Sequence, residues 1–331
     1  MSSDQATKVR IGVTPFGGES RVGAANLVDE AVTRARQAVA AGITELWFSQ
    51  RFEYDSIALA GHVGREVPEI TVGTSVVPIP GLDPLYVSTS AQTAQAATHG
   101  RFTLGLGLGW NGQAQYAQGL THDRPAQRIR EFLSALRPML HEGSVDFHGE
   151  LITAVAPHTA VPGAHPPVPV LVAAMAPRAL KATAELAEGT ITFLASPAVI
   201  AEHIAPVIAE AAQAAGRPAP RIVAMLPAVV TDDVAAARAA FAKEFTIYDQ
   251  MPSYVRVVQL GGRSRAAEMG VAGDEETVAS AIQEYVAAGV TEVIVSRTNV
   301  LGDEDRLRTW RLLGELSQPL DTAVERIGAA T

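Results

Sequence analysis

The chain has no cysteine among its 331 residues. This absence excludes a disulfide framework, a thiolate metal site and a cysteine nucleophile. No apolar run approaches the ~18 residues that a membrane-spanning helix needs. Residues 1–8 are polar and show no basic stretch leading into an apolar one, so no secretory signal is visible. These absences predict a cytoplasmic protein that does not enter a membrane.

Clustered positive charge is also scarce. The chain carries 26 lysines and arginines against 35 acidic residues, a formal net charge of −9, and its densest basic segment is Arg263-Ser-Arg265. Because a polyanion is bound by a clustered positive field, we expect no nucleic-acid partner. The eight histidines show no metal-ligand spacing, and no serine-hydrolase motif is present, so we expect neither a metal site nor that chemistry.

Short β-rich runs alternate with helical stretches along the whole chain. Most runs are continuously apolar, as in strands that are covered on both faces of a parallel sheet. The predicted strands are residues 9–14, 44–49, 70–78, 101–108, 168–173, 189–193, 221–230 and 291–296. This pattern predicts an α/β fold, a (β/α)8 TIM barrel in one domain over residues 1–331. The alternative is a doubly wound open sheet, but the turn after the first strand lacks its glycine pattern.

Two irregular segments stand out from this alternation. Residues 141–167, before the fifth strand, are rich in proline, and residues 145–152 within them are predicted to form a small hairpin. Residues 248–265, after the seventh strand, are predicted to form a lid that includes Tyr254 and shapes substrate choice.

The segment after the second strand, residues 49–55, contains Arg51, Glu53 and Asp55. In a barrel, the chemistry takes place where strands end and the following loops begin. An arginine and two carboxylates at such a position could orient a ligand and move a proton. The alternative is a neutralised salt-bridge cluster at the barrel rim.

Glycine alternates with leucine after the fourth strand, over residues 105–109. Missing β-carbons allow a flat or bulky group to approach the backbone, although tight packing inside a barrel explains the same pattern. The segment is not a dinucleotide-binding fingerprint, because Trp110 stands where the last glycine of that motif should be.

The segment after the fifth strand, residues 173–178, enters a helix without a side chain that could cap it. The free N–H groups and the positive end of the helix dipole suit an anion such as a phosphate. Arg178 could add a charge-assisted contact. The alternative is a helix start that is capped by water.

The order and spacing of four segments resemble the bacterial luciferase-like family of flavin and deazaflavin oxidoreductases. The similarity runs from residue 9 to about residue 316, and its sharpest parts are residues 71–78, 100–107, 170–190 and 273–294. Within the family, the chain is most similar to the branch that uses the deazaflavin coenzyme F420. The resemblance implies a (β/α)8 barrel, a homodimer and F420 as cofactor, with FMN as the alternative.

The resemblance also implies which residues hold the cofactor. In the family, the third strand carries a bulge with a non-proline cis peptide, which by position is Ser75-Val76. The residues implied to line the ring are Gln50, Thr74, Ser75, Val76, Leu108 and Gly109. The phosphate is expected at Ala174, Met175 and Ala176 with Arg178 nearby, and Thr192 and Ser196 are expected along the same side of the cofactor.

The chain departs from relatives in this branch at three positions. Arg51 stands where many of them carry a histidine, and arginine cannot act as a base because it stays protonated. Trp110 replaces a glutamate, and Ala198 stands where the sugar-phosphate dehydrogenases carry a lysine. We therefore do not expect a glucose-6-phosphate dehydrogenase.

The leading hypothesis is an oxidoreductase that transfers a hydride between C5 of F420 and a small organic substrate. Glu53 or Tyr54 would supply the proton, and Arg51 would orient the substrate. A flavin or F420 reductase is the implied functional partner. One alternative is an FMN-dependent monooxygenase that is supplied by such a reductase. The other is a non-catalytic flavin-binding barrel.

Overall fold

The computed structural model describes residues 10–17, 24–109, 116–120 and 124–317. Its strands are β1 (Arg10–Val13), β2 (Glu45–Phe48), β3 (Thr71–Thr74), β4 (Val77–Pro78), β5 (Phe102–Gly107), β6 (Val145–His148), β7 (Thr153–Ala156), β8 (Val170–Ala173), β9 (Gly189–Phe193), β10 (Arg221–Val230), β11 (Val271–Gly273) and β12 (Glu292–Ser296). Eight of them, β1, β2, β3, β5, β8, β9, β10 and β12, pair in parallel and close into a barrel. The predicted TIM barrel is confirmed, and each of its strands lies within a predicted run.

The remaining strands extend or decorate the barrel. β4 pairs with β5, and β11 pairs with β10. The predicted third strand, residues 70–78, is therefore divided into β3 and β4, with Ser75 and Val76 between them. The antiparallel hairpin of β6 and β7 precedes β8. It confirms the predicted insertion, although its second strand lies beyond the predicted residues 145–152.

The helices cover the outside of the barrel. They are α1 (Leu27–Ala40), α2 (Ser56–Glu66), α3 (Pro84–Ala97), α4 (Pro125–His141), α5 (Pro177–Leu186), α6 (Pro197–Val199), α7 (Ala205–Ala214), α8 (Val234–Glu244), α9 (Pro252–Leu260), α10 (Glu275–Ala287) and α11 (Asp303–Ser317). A π-helical turn (Ile200–Ile204) joins α6 to α7, and 3-10 turns (Phe245–Gln250 and Ala266–Met269) flank α9. Among the residues listed above as described, we find no helix with the length and apolar character to span a bilayer.

Two apolar layers lie on the two faces of the barrel sheet. Successive side chains of a strand point to opposite faces, so alternate residues enter different layers. Residues such as Leu46, Phe48 and Val295 belong to the outer core cluster that includes residues of the helices. The inner layer fills the barrel with Trp47, Leu171, Ile191, Val223, Met225 and Ile294. Gly73 leaves room for this layer, since a β-carbon there would lie 2.8 Å from the Trp47 ring.

Charged side chains lie at the N-terminal end of the barrel. Arg221 donates through Nε and Nη2 to the two carboxylate oxygens of Glu292, each at 2.7 Å. Arg10 Nη2 lies 2.5 Å from Glu292 Oε1, and Trp47 Nε1 donates to Glu45 Oε1 at 3.0 Å. Burial, followed by the neighbouring Glu292 carboxylate, raises the pKa of Glu45 to about 7. The inward-facing charged residues of this end therefore all have partners.

Candidate active site at the barrel mouth

The floor of the barrel mouth follows from the alternation of the strands. Ile294 belongs to the inner layer, so Ser296, two residues later, also points inward. The same alternation places Thr14 beyond Gly12, whose β-carbon would meet Glu45 inside the barrel. The residues that form this floor are Thr14, Ser49, Val76, Gly107, Ala173, Phe193, Pro227 and Ser296.

The floor has two chemically different halves. On the neighbouring strands β12, β1 and β2, the residues that face the mouth carry hydroxyl groups: Ser296, Thr14 and Ser49. On β5, β8, β9 and β10 the mouth receives only glycine or carbon side chains: Gly107, Ala173, Phe193 and Pro227. The segment between β3 and β4 lies between the two halves, because β3 pairs with β2 on one side and with β5 on the other.

That segment contains the bulge that the family resemblance implies. The Ser75-Val76 peptide bond is cis. Ser49 Oγ donates to the Ser75 carbonyl at 2.9 Å, and the Ser75 N–H donates to the Phe48 carbonyl at 2.9 Å. Val76 is half-buried and packs against the inner barrel layer. The prediction of a cis peptide at this position is therefore confirmed.

Thr74 and the glycines of β5 support this bulge. The Thr74 hydroxyl donates to the Gly105 carbonyl at 3.0 Å and accepts from the Gly105 N–H at 2.9 Å. A β-carbon on Gly107 would lie 2.6 Å from Val76 Cγ2. For Gly105 and Gly107, the tight-packing interpretation of the glycine pattern is therefore correct. Contact between Thr74 and a ring stays a prediction, since its buried hydroxyl is already used twice.

A cavity of about 390 Å³ lies beside the bulge, between the loop after β2 and the start of α3. Its apolar lining includes Phe52, Ile57, Val77, Pro78, Pro80, Leu82, Tyr86, Val87 and Leu108. Gly109, which has φ +67°, borders the same cavity and is exposed. Gln50, Arg51, Leu108 and Gly109 are the predicted site residues that the fold brings together here.

Two polar side chains of the loop after β2 form hydrogen bonds within the loop and at the start of α2. Gln50 Nε2 donates to the carbonyls of Arg51 and Tyr54, and its Oε1 accepts from the N–H and the hydroxyl of Ser56. Asp55 Oδ1 caps α2. Both side chains therefore hold the loop in shape, and Gln50 contacts any ligand only through its carbon atoms.

The fold places the three predicted catalytic residues in three different surroundings. Arg51 lines the cavity, with its side chain 23% exposed, and its Nε lies 3.6 Å from Glu53 Oε2. Glu53 is 50% exposed at the rim and does not line the cavity. The Tyr54 ring instead packs near Phe16, with ring centroids 6.1 Å apart, and burial raises its pKa to about 12. Of the three, only Arg51 faces the cavity.

The start of α5 confirms the predicted uncapped helix end. Ala176 is the N-cap residue, and no side chain accepts a hydrogen bond there. The Ala174 N–H donates to Thr190 Oγ1 at 3.3 Å, whereas Met175 is half-buried. Arg178 is exposed and borders a groove of about 320 Å³ between α4 and α5. Phosphate binding at this helix end stays a prediction.

Of the two residues expected along the same side of the cofactor, Thr192 points elsewhere, and the role of Ser196 stays a prediction. Because Ile191 and Phe193 point into the barrel, Thr192 between them points away from the mouth, contrary to the prediction. Its hydroxyl donates to the Val223 carbonyl at 3.4 Å. Ser196 Oγ accepts from the Val199 N–H at 3.3 Å and caps α6. Gly261 lies close by, since its β-carbon would be 2.9 Å from Ser196 Oγ.

An aromatic cluster covers the β9 side of the mouth. Phe193, Phe245, Tyr248 and Tyr254 meet edge to face, and the Tyr248 and Tyr254 centroids are 5.0 Å apart. Arg297 forms an ion pair with Glu244 and lies 5.7 Å from the Phe245 centroid. The predicted lid, residues 248–265, is therefore partly helical and anchored by aromatic contacts at its first half.

The sequence pattern of the luciferase-like monooxygenases matches residues 10–292. The chain belongs to this family. Three uncharacterized proteins from Mycobacterium bovis and Mycobacterium tuberculosis are 33% identical over 112 residues, which cover 33% of this luciferase-like chain and 39% of each relative. The chain therefore matches less than half the length of these relatives.

Solved structures resemble this luciferase-like chain over almost its whole length. The F420-dependent tetrahydromethanopterin reductase of Methanopyrus kandleri is 18% identical, with a TM-score of 0.69, over 93% of this chain and 98% of that one. An F420-dependent secondary alcohol dehydrogenase with an F420-acetone adduct is 18% identical, with a TM-score of 0.76, over 94% and 100%. The FMN-bound oxygenating constituent of 3,6-diketocamphane monooxygenase from Pseudomonas putida is 15% identical, with a TM-score of 0.74, over 93% and 97%. These similarities show a shared fold.

Several residues of the luciferase-like mouth are not among the predicted site residues. Ser296 and Phe193 each follow an inner-layer residue by two positions, and Thr14 follows the inward-facing Gly12, so strand alternation would have identified all three. Arg297 has φ +63°, which is uncommon for a residue other than glycine, and no sequence signal marks it. Trp110, which replaces a family glutamate, lies outside the described residues.

Proposed function

We propose that this luciferase-like protein is an oxidoreductase that binds coenzyme F420 and transfers a hydride between the deazaflavin C5 and a small organic substrate. The observation that carries the proposal is the packing of Val76, in the bulge between β3 and β4, over Gly107 and beside a floor of carbon atoms. Such a shelf suits one face of a flat, largely apolar ring. The neighbours whose names include F420 support this choice of cofactor.

The residues present fit such a cofactor at both of its ends. Val76, supported from below by Gly107, and Ala173 would contact the ring, and Leu108 and Gly109 would border it from the cavity side. At the other end, the N–H groups of the first turn of α5 would bind a phosphate, because no side chain occupies them. A Cβ at position 107 would push Val76 away, so this shelf depends on glycine there.

When bound, the deazaflavin supplies or accepts a hydride at C5. Arg51 lines the cavity and stays positively charged at neutral pH, so it would orient the substrate and stabilise negative charge that develops on it. Glu53 would exchange the proton with the substrate from the rim, where it is paired with Arg51. Tyr54, whose pKa is raised to about 12, stays protonated and is the second proposed donor.

The second candidate function is an FMN-dependent monooxygenase. It is favoured by the family pattern, which is that of monooxygenases, and by the neighbour in complex with FMN. In either case we propose a flavin or F420 reductase as functional partner and a homodimer as the assembly. A barrel that binds flavin without catalysis is the third candidate, because Arg51 cannot replace the histidine of F420-dependent relatives as a base.

Titration of the purified protein with F420 and with FMN tests the proposal. We expect F420 to bind more tightly, and a panel of small ketones and alcohols to change the deazaflavin absorbance when enzyme is added. Tighter binding of FMN would overturn the choice of cofactor. Binding of F420 without hydride exchange with any member of the panel would favour the non-catalytic barrel.

A further inference from the structure

Thr14 and Ser296 lie next to each other on the floor of the mouth. Val13 and Val295 are paired across β1 and β12, and the Thr14 N–H donates to the Val295 carbonyl at 3.1 Å. Thr14 and Ser296 each come directly after this pair, and both point inward. Neighbouring strands are about 4.8 Å apart, so the two hydroxyls can contact a single small group.

Both hydroxyls are buried and have no hydrogen-bond partner. Thr14 is 4% exposed and Ser296 is 0% exposed, and neither Oγ contacts a donor or acceptor among the described residues. Native proteins pair nearly all such groups, because an unpaired buried hydroxyl lowers stability. The third hydroxyl of the floor, on Ser49, has the Ser75 carbonyl as partner. Two adjacent unpaired hydroxyls beside a proposed reaction centre therefore need an explanation.

We propose that Thr14 and Ser296 bind the oxygen atom of a neutral carbonyl or alcohol substrate. The inference rests on the proposed function and names the substrate class for it. A hydroxyl both donates and accepts hydrogen bonds. The pair can therefore donate two hydrogen bonds to a ketone oxygen, or donate one to an alcohol oxygen and accept one from the alcohol O–H. No charged group is among the floor residues, which favours a neutral oxygen over a carboxylate.

This placement divides the mouth between cofactor and substrate. The carbon half, with Ala173 and Phe193 beside Val76, takes the ring, and the hydroxyl half takes the substrate oxygen. When bound, the reduced coenzyme would supply the hydride for the new C–H bond, and the π-electron pair of C=O would move to the oxygen held by Thr14 and Ser296. That oxygen then takes a proton from Glu53 or Tyr54, and oxidation reverses each step. Donors at the oxygen stabilise the charge that develops there.

Since neither hydroxyl is exposed, the substrate reaches them only when the groups that cover the floor are displaced as it binds. The inference therefore requires the mouth to open around Thr14 and Ser296. It does not require movement of Ser49, whose hydroxyl remains hydrogen-bonded to the bulge.

Three variants test the inference with a matched control. Thr14→Val and Ser296→Ala each remove one hydroxyl, and Thr183→Val removes a third buried, unpartnered hydroxyl on α5. With F420 and cyclohexanone, we expect kcat/KM to fall about tenfold for each mouth variant, the loss of one hydrogen bond to the oxygen, and to stay unchanged for Thr183→Val. The affinity for F420 should stay unchanged in all three.

Thermal unfolding separates this role from a merely structural one. Removing an unpaired buried hydroxyl should leave Tm unchanged or raise it in all three variants. If the two mouth variants shift only Tm, as Thr183→Val does, and keep wild-type kcat/KM, the inference is wrong. If the wild-type protein fails to bind F420, the proposed function is wrong, which is a different result.

A crystal structure of the F420-loaded protein soaked with cyclohexanone tests whether the two hydroxyls bind the ketone oxygen, even when turnover is absent. The ketone oxygen within hydrogen-bond distance of both Thr14 Oγ1 and Ser296 Oγ supports the inference. An ordered water alone on the two hydroxyls, or ketone bound only elsewhere in the mouth, overturns it.

Discussion

The two ends of the barrel treat buried polar groups in opposite ways. At the N-terminal end, Arg10, Arg221 and Glu292 form an ion-pair cluster, and Glu45 accepts a hydrogen bond from Trp47. At the mouth, Thr14 and Ser296 are buried without partners. In TIM barrels, the N-terminal face serves stability and the C-terminal face serves chemistry. The contrast agrees with the proposal above, in which a ligand would bind the two unpaired hydroxyls of the mouth.

The largest effect should come from breaking the ion pairs at the N-terminal end. Arg221→Met leaves the buried Glu292 carboxylate with Arg10 alone, so the free energy of unfolding should fall by up to about 3–5 kcal/mol. Arg308→Met is the matched control, because Arg308 makes a similar bidentate contact with Glu275 at the surface. Its cost should stay below about 1 kcal/mol. Equal losses in urea denaturation would contradict this distinction.

Glu45 should make stability depend on pH. Its pKa is raised to about 7 in the folded protein, above the ordinary value of 4.5, so the folded state holds the proton more tightly than the unfolded state. Stability is therefore lost as pH rises from about 4.5 to about 7, by roughly 1–3 kcal/mol. Glu45→Gln should flatten this part of the curve.

Glu292 acts outside that window. Burial raises its pKa, but Arg221 and Arg10 outweigh this effect and lower it overall. Its contribution is present above its unfolded pKa and is lost as pH falls further. An unchanged slope between pH 4.5 and 7 in Glu45→Gln, measured by urea denaturation at each pH, would show that Glu45 is not the group responsible.

A pair of glycine substitutions compares the two ends directly. In Gly107→Ala the β-carbon would lie 2.6 Å from Val76 Cγ2, and in Gly12→Ala it would lie 2.7 Å from the Glu45 carbonyl oxygen. Both should cost about 1–3 kcal/mol of stability through overpacking. Only Gly107→Ala should weaken F420 binding, by about tenfold, because it moves the shelf. If fluorescence titration gives comparable F420 affinities for both variants, the position of Val76 over Gly107 does not contribute to cofactor binding.

The smallest change in stability should come from the rim of the mouth. Arg51→Met and Glu53→Gln should each lower turnover by about tenfold or more, as expected for groups that steady charge or move a proton. Unfolding should change by less than about 1 kcal/mol, because the Arg51–Glu53 pair is partly exposed. If both variants keep wild-type kcat, the roles proposed for this pair are wrong.

The fold was largely predictable from local patterns. Each barrel strand lies within a predicted run, and most of these runs are apolar. Asp83 and Asp274 cap their helices through side-chain oxygens that accept from N–H groups only two or three residues away. The site was less predictable. Gln50 has the right position to line the cavity, yet its amide is saturated by groups up to six residues away in a loop whose path has no sequence signal. Thr192 has the right position along β9 and the wrong direction.

The amino-acid order by itself determined the alternation of strands and helices, the uncapped start of α5 and, through family resemblance, the cis Ser75-Val76 bulge. Those features depend on neighbouring residues or on a recurring motif. Only closure of the barrel brought Thr14 beside Ser296 and Arg10 beside Glu292, because β1 and β12 come from opposite ends of the chain. Whether a buried polar group finds a partner is decided by such long-range pairing, and that pairing separates the stable end of this barrel from its proposed reactive end.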